Sequence, residues 1–375
     1  MRIVLDVGGV LGPPSGVRRY AEELMRALAE VDRVNEYVVY AGFWRDFPRL
    51  FDTVTIPKAP NFTAAPIRLP QKAVLPLEGR LGLRVQERVL ARFRPDVFHG
   101  LANIIPPLRD VRSVVTLMHV GEVGAEAGRW NRFYFNEGAA RSVESADRVI
   151  TMSDHARRET LARYRVAPER VVTVWPGVSF DSFRGARSPE TTAALGLSGP
   201  YILFVSALEA RKNLHRLLEG YALAVAKAGL PHRLVLVGRK SAAYPGLLAD
   251  VEARGLSGRV SFLENIDEAE LNAVYRGADL FVYPSLLEGF GLPLLEAMTC
   301  SVPVIAARAT ALPEVAGDAA LYFDGESGED LSRRIVEVLA DRALREDLVK
   351  KGLARAALFD WRESARKTVE VYRAC

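Results

Sequence analysis

Residues 280–298 read LFVYPSLLEGFGLPLLEAM: an apolar and aromatic run, a turn carrying Gly289 and Gly291, and a second apolar segment opened by Pro293. The pattern predicts strand, turn and helix, with Pro293 at the first helical position, where a missing N–H costs nothing. The two glycines let the backbone come close to a ligand. Free N–H groups at a helix start offer partial positive charge to an anion such as a phosphate. Two acids flank the turn, Glu288 before it and Glu296 eight positions later. A carboxylate repels phosphate but accepts hydrogen bonds from hydroxyls. One acid on each side suits two separated polyols with a diphosphate held between them on backbone amides, which is the outline of a nucleotide-sugar. The plainer alternative is that both acids merely favour a helix N-terminus.

Outward from this stretch, short apolar runs alternate with helical patterns. RIVLDV, YVVYA, DVFHG, SVVTLMH and DRVITMS read as buried strands in the first half, and YILFVSA, RLVLVG, RVSFLE, LFVYPS and PVIAA in the second. GVRRYAEELMRALAEV and NLHRLLEGYALAVAKAG read as helices between them. Such alternation implies parallel sheets covered by helices, and two such series imply two doubly wound domains. Turn formers cluster around Pro176, Gly177 and Pro189, which places the boundary near residue 180. Ligands on such sheets bind at the carboxyl ends of the strands, so the expected site is a cleft between the domains.

A chain of 375 residues suits two domains, and 49% hydrophobic with 26% charged residues is ordinary for a globular enzyme. Neither Cys300 nor Cys375 belongs to a CxxC pair, so a reducing compartment is expected. Asp6 interrupts the first apolar run too early for a secretion signal, and no apolar stretch is long enough to span a bilayer. The expected location is cytoplasmic. A net charge of +4 fits anionic substrates or an anionic membrane surface, and without aromatic-basic clustering it gives no ground for nucleic acid.

EGFGLPLLEAM, followed by VPVIAARATALPEVAGDAALYF, resembles the signature of the family 4 retaining glycosyltransferases, whose fold is GT-B: α/β, two doubly wound Rossmann-like domains facing across a cleft. SGVRRYAEEL resembles the glycine-rich loop and first helix of that family. TMSDHARRETL resembles its approach to the linker, LEARKNLHRLLEGY its lysine-containing phosphate site, and FDWRESARKTVEVYR its final helix. The resemblance implies an acceptor-side domain over 1–180, with the helix at about 360–375 packed back on it, and a nucleotide-sugar domain over 181–359.

By that resemblance Glu288, His119 and Lys212 form the catalytic set. Glu288 bonds donor-sugar hydroxyls and Glu296 the ribose. The amides of Gly289, Phe290, Gly291 and Leu292 hold the diphosphate, Lys212 and Arg211 neutralise it, Gly16 approaches it from the first domain, and Ile266 meets the nucleobase through backbone. His119 faces the donor sugar. His99, also at a strand end, lines the acceptor side or is a satisfied structural histidine. This sequence departs from the family at Ala207, where many members have arginine, at Ser206, where glycine is usual, and at Val120, where aspartate is common.

No Asp-x-Asp pair is present, so leaving-group stabilisation without a metal or other cofactor is expected. FVSALEARKNL and its surroundings resemble bacterial mannosyltransferases of polysaccharide assembly. The expected reaction is retaining transfer of mannose from GDP-mannose to a glycan or lipid-linked saccharide, with UDP-glucose and UDP-N-acetylglucosamine as open alternatives. A nucleotide-sugar epimerase is disfavoured by the glutamate pair. A dinucleotide oxidoreductase is disfavoured by DVGGVLGPPSG, which lacks G-x-G-x-x-G spacing. A silent partner subunit would have no need of the catalytic set. Finally, Arg80, Arg84, Arg88 and Arg92 recur every four residues beside Leu81, Val85, Val89 and Phe93. On one helix this is a basic stripe along an apolar one, either a solvated face or a peripheral contact with anionic lipid on the inner face of the cell membrane.

Overall fold

RIVLD at the amino terminus forms a central strand because Ile3, Val4 and Leu5 bury completely, and strands covered on both faces read as unbroken apolar runs. The computed structural model describes residues 1–12, 15–43, 49–121, 129–179, 183 and 187–375. Through these residues run β1 (Arg2–Asp6), β2 (Glu36–Phe43), β3 (Phe62–Arg68), β4 (Val97–Gly100), β5 (Arg112–Leu117), β6 (Arg148–Thr151) and β7 (Val171–Thr173). Then follow β8 (Tyr201–Val205), β9 (Arg233–Val237), β10 (Val260–Leu263), β11 (Leu280–Tyr283), β12 (Val304–Ala307) and β13 (Ala320–Phe323). The chain divides into two compact units, one of Met1–Gly177 with Asp360–Cys375, the other of Val178–Phe359. The expected boundary at residue 180 lies outside the described residues, as do Pro13 and Pro14 of the glycine-rich loop.

The first unit holds a seven-stranded sheet in the order β3-β2-β1-β4-β5-β6-β7, all pairs parallel. Helix α1 (Gly16–Val31) is capped by Ser15, whose side chain accepts from Arg18 N at 3.2 Å. Its buried face presents Tyr20, Leu24, Met25 and Leu28, each apolar burial contributing about 1.5–3 kcal/mol. The helix Trp361–Arg373 packs along it, with the Trp361 ring 5.6 Å from that of Tyr20 and Arg362 paired to Glu30 at 2.8 Å. Gly177 is tied to this arrangement, since a Cβ there would lie 2.2 Å from Trp361 N.

In the second unit the sheet has six parallel strands in the order β10-β9-β8-β11-β12-β13. The strand order reverses between β1 and β4 in one sheet and between β8 and β11 in the other. Loops leaving the carboxyl ends of those strands diverge there and open a place for ligands.

Three strands depart from the sequence reading. β3, β7 and β13 each lie at a sheet edge, and none was expected. Residues 79–94 also do not form the single helix that the arginine spacing predicts. Helix α2 (Gln71–Leu81) ends at Gly82, which takes a left-handed φ of 65°, and α3 (Val85–Leu90) starts afresh. The arginines therefore do not share one helical face. Pro293 sits one place later than expected, because the helix opens at Leu292. Its missing N–H still falls within the first turn, where no intrahelical partner exists.

Candidate functional site

At the reversal of the second sheet, β8 leads into a loop ending at Lys212, and β11 leads into the loop carrying Glu288. Backbone and short side chains stitch the loops together: Leu286 N and Ser285 Oγ both donate to Arg211 O at 3.3 Å. Asn213, with φ of 57°, donates from Nδ2 to Pro284 O at 3.2 Å and to Gly325 O at 2.9 Å. Lys212 is thereby fixed and nearly enclosed, its ammonium 5.4 Å from the centre of the Tyr283 ring.

The buried ammonium of Lys212 donates to Glu288 Oε1 and, at 3.2 Å, to the Tyr283 hydroxyl. That hydroxyl in turn donates to the same Oε1 at 2.8 Å. Arg211 stands 3.9 Å from Glu288 Oε2 and pairs with Glu209 at 2.9 Å. Burial alone would raise the Glu288 carboxyl, but the charges of Lys212 and Arg211 outweigh it and hold the group below the ordinary carboxylate range. Burial lowers the Lys212 ammonium, with Glu288 opposing. Burial and the adjoining carboxylate push the Tyr283 phenol far up, so it stays a hydroxyl donor. The sequence reading gave Glu288 and Lys212 separate ligand groups and did not foresee that they meet.

Across the turn, Gly291 takes φ of 108°, and a Cβ there would come 2.9 Å from Leu312 Cδ2. Phe290 buries its ring edge-on against Phe359 at 5.5 Å, leaving its backbone to the turn. Leu294 N donates to Gly291 O at 3.0 Å, while the amides of Phe290, Gly291 and Leu292 make no hydrogen bond among the described residues. Gly289 is half-buried beside them. Three open amides at a helix start are suited to oxyanions. Glu296, buried in the helix Leu292–Thr299, accepts from the Tyr275 hydroxyl at 2.7 Å. Ile266 is half-buried immediately before Asp267, which begins the next helix with a reciprocal capping box with Glu270. The structure thus places Arg211, Lys212 and Glu288 together, with the turn 289–292 following and Glu296 within the next helix.

Two sequence-predicted residues belong to the first unit. Gly16 is the exposed first residue of α1, with open space where a Cβ would point. His119 is half-buried just after β5, its ring edge-on to Phe135 at 6.0 Å. His99 does not line an open surface. It is wholly enclosed, with Nδ1 2.7 Å from the Tyr372 hydroxyl and Nε2 2.8 Å from Thr116 Oγ1, and burial pulls its pKa down to about 3.

Asp6 was missed by the sequence reading as a polar feature of this unit. It ends β1, at the strand-order reversal, where Oδ1 accepts from Gly8 N at 2.8 Å and Oδ2 from Gln71 Nε2 at 3.2 Å. It makes no ion pair among the described residues. Burial raises its carboxyl to about 6, against the pull of those two bonds. Tyr275 and Tyr283 also escaped notice, because each lies in an apolar pattern that announces a core residue. Among the described residues no group of three or more His, Cys, Asp or Glu side chains is placed to hold a metal ion. Nor is any helix long and apolar enough to cross a membrane.

Comparison with known proteins follows this division. Residues 192–355 match the family described as glycosyl transferases group 1, and residues 14–182 match glycosyltransferase family 4. The O-antigen chain mannosyltransferase B of Escherichia coli is 30% identical over 384 residues, covering 100% of both chains. Sucrose-phosphate synthase from Thermosynechococcus elongatus superposes with a TM-score of 0.77 at 22% identity, over 100% of this chain and 98% of the other. Anabaena HepE, solved in complex with UDP and glucose, gives a TM-score of 0.75 at 18% identity over 100% of each.

Proposed function

This chain belongs to glycosyltransferase family 4 and has the GT-B fold, and from that premise we propose that it is a metal-independent retaining mannosyltransferase acting in polysaccharide assembly, with GDP-mannose as donor. The observation that carries this reading is the Lys212–Glu288 pair beside the open amides of 290–292. A cation and a row of N–H donors suit a diphosphate, and an ionised carboxylate next to them suits the hydroxyls of the attached sugar. The mannose assignment rests on the similarity to the O-antigen mannosyltransferase.

In this reading the bond from the anomeric carbon to the diphosphate oxygen breaks as the acceptor hydroxyl attacks from the same face. The acceptor proton passes to the departing phosphate oxygen, and the charge left on the diphosphate is met by Lys212, Arg211 and the amides. Glu288 positions the sugar, and Glu296 receives the ribose hydroxyls with Tyr275 orienting it. The family resemblance further assigns His119 to the donor sugar and Gly16 to the diphosphate. Ile266 marks the loop that meets the base. A UDP-sugar donor is the second reading, favoured by the likeness to HepE, whose structure holds UDP and glucose.

A thermal-shift panel with GDP, UDP and their mannose, glucose and N-acetylglucosamine derivatives tests the donor. Stabilisation by GDP and GDP-mannose, reduced in Glu296→Ala and unchanged by a chelator, is expected. A response confined to uridine nucleotides would transfer the assignment to the second reading, and no response to any would overturn the site. The anomeric configuration of the product, read by NMR, tests retention.

A further inference from the structure

Tyr283 closes β11 and Ser206 directly follows β8, so both stand at the strand-order reversal of the second unit. The two strands pair, with Phe281 beside Leu203. The buried Tyr283 ring lies against those of Phe204 and Phe281, 5.9 and 5.8 Å away at interplanar angles of 21° and 20°. This row of rings fixes where the phenol oxygen sits before any ligand arrives.

That oxygen has one proton to give and two lone pairs to receive with. All three are committed. It donates to Glu288 Oε1 at 2.8 Å, accepts from the Lys212 ammonium at 3.2 Å, and accepts a further hydrogen bond from the Ser206 side chain. With the ammonium and Ser206 filling the accepting positions, the phenol proton is left one direction, toward Glu288.

Glu288 is anchored at its backbone, where N donates to Thr310 Oγ1 at 3.1 Å. Lys212 and Tyr283 both bond Oε1, so Oε2, 3.9 Å from Arg211 Nη1, keeps lone pairs for hydroxyls. The ammonium has a third donor besides the two in use, which suits a diphosphate. Ser206 stands where the resembling family usually has glycine, and glycine there would leave the phenol one hydrogen bond short.

We propose that Tyr283, aimed by Ser206, is a positioning residue for the donor sugar: it holds Glu288 with Oε2 turned to the sugar hydroxyls and takes no part in binding the diphosphate. This role rests on the reading of the site as one for a nucleotide-sugar. It divides the work within the Lys212–Tyr283–Glu288 junction, with the lysine serving the leaving group and the phenol serving the sugar.

Isothermal titration of the full chain with GDP and with GDP-mannose tests this. Tyr283→Phe keeps the row of rings and removes the hydroxyl. It should weaken GDP-mannose about tenfold, the order of one hydrogen bond to a charged group. GDP should stay within about twofold, because Lys212 loses an acceptor and none of its donors. Ser206→Ala, at a half-buried position, should shift the same ratio in the same direction by about threefold without touching the aromatic row. Acting through Glu288, Tyr283→Phe should add less than about twofold to the loss already caused by Glu288→Gln. Equal losses for the two ligands, unchanged affinity for GDP-mannose, or full additivity with Glu288→Gln would overturn the proposal. A wild type that binds only uridine nucleotides would overturn the donor assignment alone, and the ratio taken with UDP and UDP-glucose would then decide the role of Tyr283. Binding of none of the four would overturn both.

Discussion

The Tyr275 hydroxyl donates to Glu296 Oε2 at 2.7 Å, so a carboxylate on one helix is aimed by a phenol on another. Tyr275 is itself fixed by aromatic neighbours, with ring centres of Phe183 and Phe281 both 5.7 Å away. Removing only its oxygen leaves that packing in place. Tyr275→Phe should therefore raise the donor KM about tenfold, the order of one hydrogen bond to a charged group, and leave kcat within about twofold. Initial-rate kinetics with varied donor check this. A fall in kcat at unchanged KM would mean that Glu296 does not act in donor binding.

Lys212 and Glu288 illustrate the asymmetry of buried pairs. Truncating one partner leaves the other enclosed without its counter-charge, at a cost of about 3–5 kcal/mol. Lys212→Met should lower the denaturation midpoint accordingly and abolish transfer. Lys212→Met with Glu288→Gln removes both charges and should regain much of the lost stability, with no return of transfer. Urea titration followed by circular dichroism, beside a transfer assay, separates the two effects. Recovery of activity in the double variant would show that the pair is structural.

What the sequence announces and what it hides divide along physical lines. Central strands such as β1, β4, β8 and β11 are covered on both faces and give unbroken apolar runs, so their pattern stands out. β3 has one buried residue and carries Pro66, which a strand at a sheet edge tolerates, and β7 is only three residues long. Neither leaves a strong periodic signal. In the site, Glu288 and Glu296 were legible because acids around a glycine turn contradict an apolar context. Tyr275 and Tyr283 agree with theirs, and only their hydroxyl partners reveal them. The break at Gly82 was missed because arginine spacing reports helical phase and is blind to a left-handed glycine between two helices.

Gly238 offers a test of how closely β8 and β9 approach at their carboxyl ends. A Cβ at that position would fall 1.8 Å from Ser206 O, a backbone atom that cannot swing aside. Ser206 N is also held by Val237 O at 3.0 Å. Gly238→Ala should thus displace the loop that carries Lys212. The expected result is a lower melting temperature together with loss of the thermal shift given by nucleoside diphosphate. An unchanged shift would show that the loop reaches its position independently of this contact.

Asp6 makes the stability of the first unit depend on pH with a definite sign. Its folded carboxyl, at about 6 against an ordinary value of 3.8, holds a proton more tightly than it does when unfolded. The folded state therefore binds more protons within that window, and stability falls as pH rises through it. A shift of about two units corresponds to about 3 kcal/mol, fully lost above the folded value. Asp6→Asn keeps an oxygen for Gly8 N and removes the titration. Relative to wild type it should gain about 3 kcal/mol between about pH 4 and about pH 7. The second unit, Val178–Phe359, contains no tryptophan. Urea unfolding followed by tryptophan fluorescence thus reports on the unit that contains Asp6. Parallel curves for the two proteins across this pH range would show that Asp6 titrates as an ordinary carboxylate, and that the bonds from Gly8 and Gln71 offset its burial.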